Sequence, residues 1–185
     1  MEQTGLAGSK VAFLAAEGAD QVERALRDAG ATPVRLAPDS LGGAKASDFC
    51  ALVVAGGAES AGRAAASERT VAFVRDFLEA DKPVAASGHG AQLLLAAGAV
   101  KGRTLAAAPE LRGDIEGAGG EWVDREVVVD QKLVTGPADV AAFARRIVTD
   151  FADWLDDDLV DRSSEASFPA SDPPPGPAAA GKPGA

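Results

Sequence analysis

The chain has no tyrosine, and only one histidine, one cysteine and one methionine; aromatic residues make up 5% of its 185 positions. A lone cysteine, Cys50, excludes an internal disulfide framework and any multi-cysteine metal site. A lone histidine, His89, leaves no histidine cluster for a metal either, so neither a metal nor another cofactor is expected. With so few aromatics, the core has to be built mainly from Ala, Val and Leu. Positive charge is also scarce: 18 Lys and Arg stand against 28 Asp and Glu, a formal net charge of -10. That field repels nucleic acid and acidic membranes, and both are discounted as partners. No apolar run reaches the ~18 residues of a membrane span, and Met1 to Ser9 lack the basic start and apolar stretch of a secretion signal. The expectation is a cytoplasmic protein.

What is present is ordinary globular sequence, 46% hydrophobic and 25% charged, of a length that suits one domain. Short apolar runs alternate with helical patterns. Lys10 to Ala16, Pro33 to Leu36, Phe49 to Ala55 and the run from Val84 read as buried strands. Asp20 to Ala29 carries Val22, Ala25 and Leu26 at helical spacing, with Asp20 and Glu23 spaced as a capping box. Pro38 to Ser47 reads as a loop. A second helix opens near Ser67 with the stripe Val71, Val74, Phe77 and Leu78. Strand and helix in alternation predict a parallel sheet covered on both faces.

After Gly98, Lys101 to Ala106 reads as a short strand and Pro109 to Ala118 as a short helix. Glu121 to Asp124, Glu126 to Val129 and Lys132 to Thr135 are strand-like, with Asp130-Gln131 as the turn of an antiparallel hairpin. A last helix from Ala138 to about Leu159 places Val140, Phe143, Ile147, Phe151 and Leu155 inward. The composition then changes. Six of the 11 prolines lie between Pro169 and Pro183, which predicts a disordered Pro/Ala/Gly-rich tail over 161–185, with Ser167 to Pro174 as its one aromatic-bearing stretch. The expected organisation is a flexible start over 1–9, a domain over 10–160 and that tail.

The stretch that can carry chemistry is Ala85-Ala86-Ser87-Gly88-His89-Gly90-Ala91-Gln92, a buried strand turning sharply into a helix. Such elbows lift the residue at their apex clear of the sheet, and the helix start favours an anion or a developing negative charge. The apex falls on Gly88. Ser87 belongs to the strand end, and Cys50 reads as a small buried hydrophobe with an inert thiol. Gly56-Gly57, directly after an apolar strand, allow a turn that a Cβ would obstruct. Trp122 and Trp154 are assigned to the core or an interface.

Four segments in order, Ala51 to Gly57, Lys82 to Leu94, Glu121 to Asp130 and Gly136 to Phe143, resemble the ThiJ/PfpI superfamily of class I glutamine amidotransferase-like folds, the group of the parkinsonism-associated deglycase. The resemblance covers about Lys10 to Asp153 and implies an α/β, flavodoxin-like three-layer sandwich with a mainly parallel sheet and a small antiparallel edge. It implies a homodimer and a small anionic or carbonyl ligand. Carried over residue by residue, His89 matches the histidine after the family's nucleophilic cysteine, Gly56 and Gly57 match the oxyanion-pocket glycines, and Asp20, or as second choice Glu17, matches an acidic partner. Gly88 falls at the nucleophile position, where a glycine offers neither attacking electrons nor a covalent intermediate. The segment from Glu23 to Asp48 is short for the group, and Thr135-Gly136-Pro137 lacks the group's Ser-Arg pair.

These departures lead to the expectation of a catalytically degenerate member, a stress-associated binding or assembly module. The alternatives are a cysteine-independent hydrolase, amidotransferase-like or glyoxalase/deglycase enzyme working around His89, Asp20 and the Gly57 and His89 amides, and a regulatory domain like the one carried by large catalases.

Overall fold

The computed structural model describes residues 6–15, 19–37, 41–137 and 141–167, with side chains described as far as 158. Strand β1 (Lys10–Ala15) starts the sheet, and α1 (Asp20–Asp28) returns the chain to β2 (Thr32–Leu36). β3 (Ala51–Ala55) leads into α2 (Ala58–Ala66) and α3 (Glu68–Glu79), and β4 (Val84–Ser87) into α4 (Ala91–Ala96). β5 (Thr104–Leu105), α5 (Arg112–Gly117) and β6 (Glu121–Trp122) form a small lobe, before β7 (Val128–Asp130), β8 (Leu133–Gly136) and the long α6 (Ala141–Ser167).

The main sheet has the order β2-β1-β3-β4-β8-β7. Every neighbouring pair in it is parallel except β7 with β8, which is the expected antiparallel edge. Alternation along the strands divides the core into two layers. Val11, Phe13, Val53, Ala85 and Val134 face α1 and α6, where Val22, Leu26, Phe143, Ile147 and Phe151 close over them. Leu14, Leu52, Val54, Val84, Ala86 and Leu133 face α2, α3 and α4 with Ala64, Phe73, Phe77, Leu93 and Leu94. Helices on both faces of a buried parallel sheet give the three-layer α/β sandwich of the flavodoxin-like class.

Several local expectations change. α2 is an unanticipated helix: its buried residues are only Ala61 and Ala64, so it has helix-forming alanines but no large apolar stripe to betray it. Asp20 does not cap α1. The N-cap is Ala19, with no side-chain cap, and Asp20 is the first helical residue. Glu23, only 4% exposed, is spent instead on ion pairs to Arg27 and Arg35. Glu121–Trp122 does not join the main sheet but pairs in parallel with Thr104–Leu105 as a separate two-stranded ribbon. The hairpin turn falls one residue late, at Gln131-Lys132, with Gln131 at φ +56°. The backbone of α6 stays helical to Ser167, past the compositional change at 161. Glu17, Val140 and the proline-rich stretch 168–185 lie outside the described residues.

Candidate functional site at the strand-to-helix elbow

β3 and β4 are adjacent and in register, Val54 opposite Ala86, so the turns at their carboxyl ends meet at one end of the sheet. After β3 the chain turns through Gly56 and Gly57, the latter the N-cap of α2. After β4 it passes through a single 3₁₀ turn, Gly88–Gly90, into α4. Gly88 lies at φ +56°, the left-handed conformation in which a side chain costs about 1–2 kcal/mol. Gly90 is required for a different reason: a Cβ there would stand 2.6 Å from the Val54 carbonyl oxygen. The elbow is thus pressed onto the end of β3, and the two glycine turns share one rim.

The third wall comes from the segment after β5. The Ala108 N–H donates to the Gly88 carbonyl at 3.3 Å, the Ala106 N–H to Thr135 Oγ1 on β8 at 3.0 Å, and the Trp122 indole N–H to the Ala107 carbonyl at 3.2 Å. Three successive residues are pinned in this way. Pro109–Leu111 then forms a 3₁₀ turn that carries Glu110 back over the elbow, its Oε2 3.8 Å from His89 Nε2. His89 is a quarter exposed and Glu110 largely exposed.

The turns after β3 and β4 bring together Gly56, Gly57, Gly88 and His89, the residues that the resemblance assigns to the pocket. Asp20 goes elsewhere: its Oδ1 accepts from Arg35 on β2 at 2.8 Å, on the far side of β1 from the elbow. The carboxylate facing the histidine belongs to Glu110. Nothing local in the sequence points to Glu110, because it meets His89 only through hydrogen bonds that tie the loop after β5 to β4 and β8. Ser87 is buried at the strand end, 3% exposed. Cys50 lies at the opposite end of the sheet, half-buried rather than buried as expected, donating to the Lys10 carbonyl at 3.0 Å, and desolvation raises its thiol pKa. No group of three or more His, Cys, Asp or Glu suited to a metal occurs among the described residues. Nor is any described helix long and apolar enough to cross a membrane.

A mainly parallel sheet covered by helices on both faces, with a glycine-flanked histidine at the carboxyl end of a central strand, defines the molecule as a doubly wound α/β sandwich. The particular membership is given by sequence: residues 8–150 match the DJ-1/PfpI family, and the chain belongs to it. A deglycase of Pyrococcus horikoshii is 41% identical over 103 residues, 55% of this chain and 61% of that one. Protein/nucleic acid deglycase 2 of Escherichia coli is 44% identical over 101 residues, 53% of this chain and 58% of that one. Among solved structures, a two-domain protein of Anabaena variabilis with DJ-1/ThiJ/PfpI-like and ferritin-like domains superposes with a TM-score of 0.68 at 28% identity, covering 76% of this chain and 47% of that one. The chain spans about three-fifths of the length of the curated relatives it matches. The relatives' names overturn the expectation of a catalytically degenerate binding module: sequences this similar are named deglycases.

Proposed function

We propose that the protein is a deglycase-type enzyme that removes a carbonyl-derived adduct from an amine at the elbow, without a cysteine nucleophile. The observation that carries this reading is the similarity to proteins named deglycases, at 41–44% identity over stretches of about a hundred residues. The site is compatible with it. His89 is the only histidine, stands on the rim and keeps a quarter of its side chain open to solvent. An imidazole can take and return a proton near neutral pH.

The chemistry needs no external oxidant. For the adduct of an amine with methylglyoxal, the hydrogen on the hydroxyl-bearing carbon leaves as a proton, and its electron pair forms the double bond of an enediol. The proton returns at the neighbouring ketone carbon. The first carbon is then at the oxidation level of an amide, and water replaces the nitrogen there, giving the free amine and lactate. His89 serves as the proton carrier in both steps. The two glycine turns meet at the strand ends, and in this reading the backbone amides of Gly57 and His89 are assigned as the donors to the developing enediolate.

The test is lactate release from a lysine peptide bearing methylglyoxal on its side-chain amine. The purified wild-type chain turns it over, His89→Ala falls by about a hundredfold or more, and Cys50→Ser keeps the wild-type rate. An inactive wild type, an active His89→Ala or an inactive Cys50→Ser would each overturn the reading.

A further inference from the structure

Resting on the deglycase reading, we infer that Glu110 makes the site selective for adducts carried on positively charged peptide segments. Glu110 approaches the elbow histidine at 3.8 Å, with its side chain 72% exposed, and His89 is its one ion-pair partner among the described residues. Its position is fixed by backbone rather than by its own side chain: Ala106, Ala107 and Ala108 are each hydrogen-bonded to the sheet, the ribbon or the elbow, and Pro109 opens the next turn. An exposed pair of this kind adds little to stability. Its effect is on what approaches.

Two cations near the elbow, in the chain or at the same end of the sheet, are already engaged, while Arg63 in the last turn of α2 is exposed. Arg112, two residues on, binds Glu116 through its Nε at 2.9 Å and lies over the Trp122 ring at 5.4 Å. Arg35, at the end of β2, is held by Glu23 and Asp20. Glu59, in the first turn of α2 beside the Gly56-Gly57 turn, adds a second exposed carboxylate on the same rim. α4 has only six residues, too short to offset this with a strong helix-end field. An incoming segment therefore meets the exposed carboxylates of Glu110 and Glu59 beside the reacting group, on a chain whose net charge is -10. Charges within about 7–10 Å at a partly solvated surface alter encounter and binding by a few-fold each, so a peptide with two cations is favoured over one with two anions by about tenfold.

The experiment compares two acetylated tripeptide amides, Arg-Lys-Arg and Glu-Lys-Glu, each carrying methylglyoxal on the lysine amine, so that the reacting group is the same. Wild-type kcat/KM favours the basic peptide by about tenfold; 0.5 M NaCl compresses the ratio, as screening requires. Glu110→Asp keeps the preference and Glu110→Lys abolishes or reverses it. A second readout needs no turnover: the unmodified peptides are titrated against the imidazole signal of His89, unambiguous by NMR because the chain has one histidine. The basic peptide perturbs it at lower concentration than the acidic one, and Glu110→Lys removes the difference. Equal kcat/KM for the two peptides, or a preference untouched by Glu110→Lys, overturns the inference while leaving the deglycase reading standing. Selective binding at His89 without lactate release supports the inference and overturns the deglycase chemistry.

Discussion

Thr135 Oγ1, on β8 and 1% exposed, accepts the backbone N–H of Ala106 at 3.0 Å. This bond fastens the segment that carries Glu110 to the central sheet. Thr135→Val keeps the shape and removes the acceptor, leaving a buried N–H unpaired at a cost of about 1–3 kcal/mol. The loss is read by denaturant unfolding and by faster amide exchange at Ala106, whereas Thr135→Ser keeps the bond and stays near wild type.

Gly90 and Gly113 form a controlled pair. A Cβ on Gly90 would meet the Val54 carbonyl oxygen at 2.6 Å, and both groups are backbone, so the elbow has to move. Gly113 sits in α5 with nothing within 4 Å of an added Cβ. Gly90→Ala should lose about 1–3 kcal/mol, and Gly113→Ala should gain about 0.5–1 kcal/mol through helix propensity. Equal thermal shifts for the two variants would contradict this packing of the elbow on β3.

The elbow glycines also show how much of the molecule is legible before folding. The elbow, the Gly56-Gly57 turn and the parallel core can be read because each is written in a run of fewer than fifteen residues: apolar strand, glycine turn, helix. Glu110 cannot, since it is 21 positions from His89 and reaches it only through pairings of β4 with β8 and of the loop with both. Asp20 and Glu23 mislead for a related reason. Their three-residue spacing fits a cap, but Arg35, brought alongside by the parallel pairing of β1 with β2, binds both carboxylates. α2 escapes a pattern reading because alanine supplies propensity without a stripe.

Glu23 and Asp20 therefore differ sharply in what their removal costs. Glu23 is 4% exposed and bonded to both Arg27 and Arg35, with Arg35 Nε donating to it at 2.6 Å. Asp20 touches Arg35 from solvent, its side chain 78% exposed. Glu23→Ala should cost about 2–3 kcal/mol, below the range for a fully buried pair because both arginines reach water. Asp20→Ala should cost less than about 1 kcal/mol. The reverse order in urea unfolding would show that Asp20, not Glu23, anchors the end of β2.

Cys50 gives the fold a pH dependence of known sign. Burial pushes its thiol above the usual range, against smaller opposing effects of the Ser9 hydroxyl and the Lys82 ammonium. The unfolded chain then releases this proton at lower pH than the folded chain does. Between the two values the folded state holds more protons, so the thiol's contribution to stability is full below about pH 8.5 and declines as pH rises through the ordinary thiol value toward the folded one. Thermal unfolding at pH 7 and pH 10 should show the wild type losing more Tm than Cys50→Ala, which has no thiol to ionise. If the two proteins lose Tm in parallel, the thiol ionises as readily in the folded chain as in the unfolded one, and its partial burial does not hold the proton.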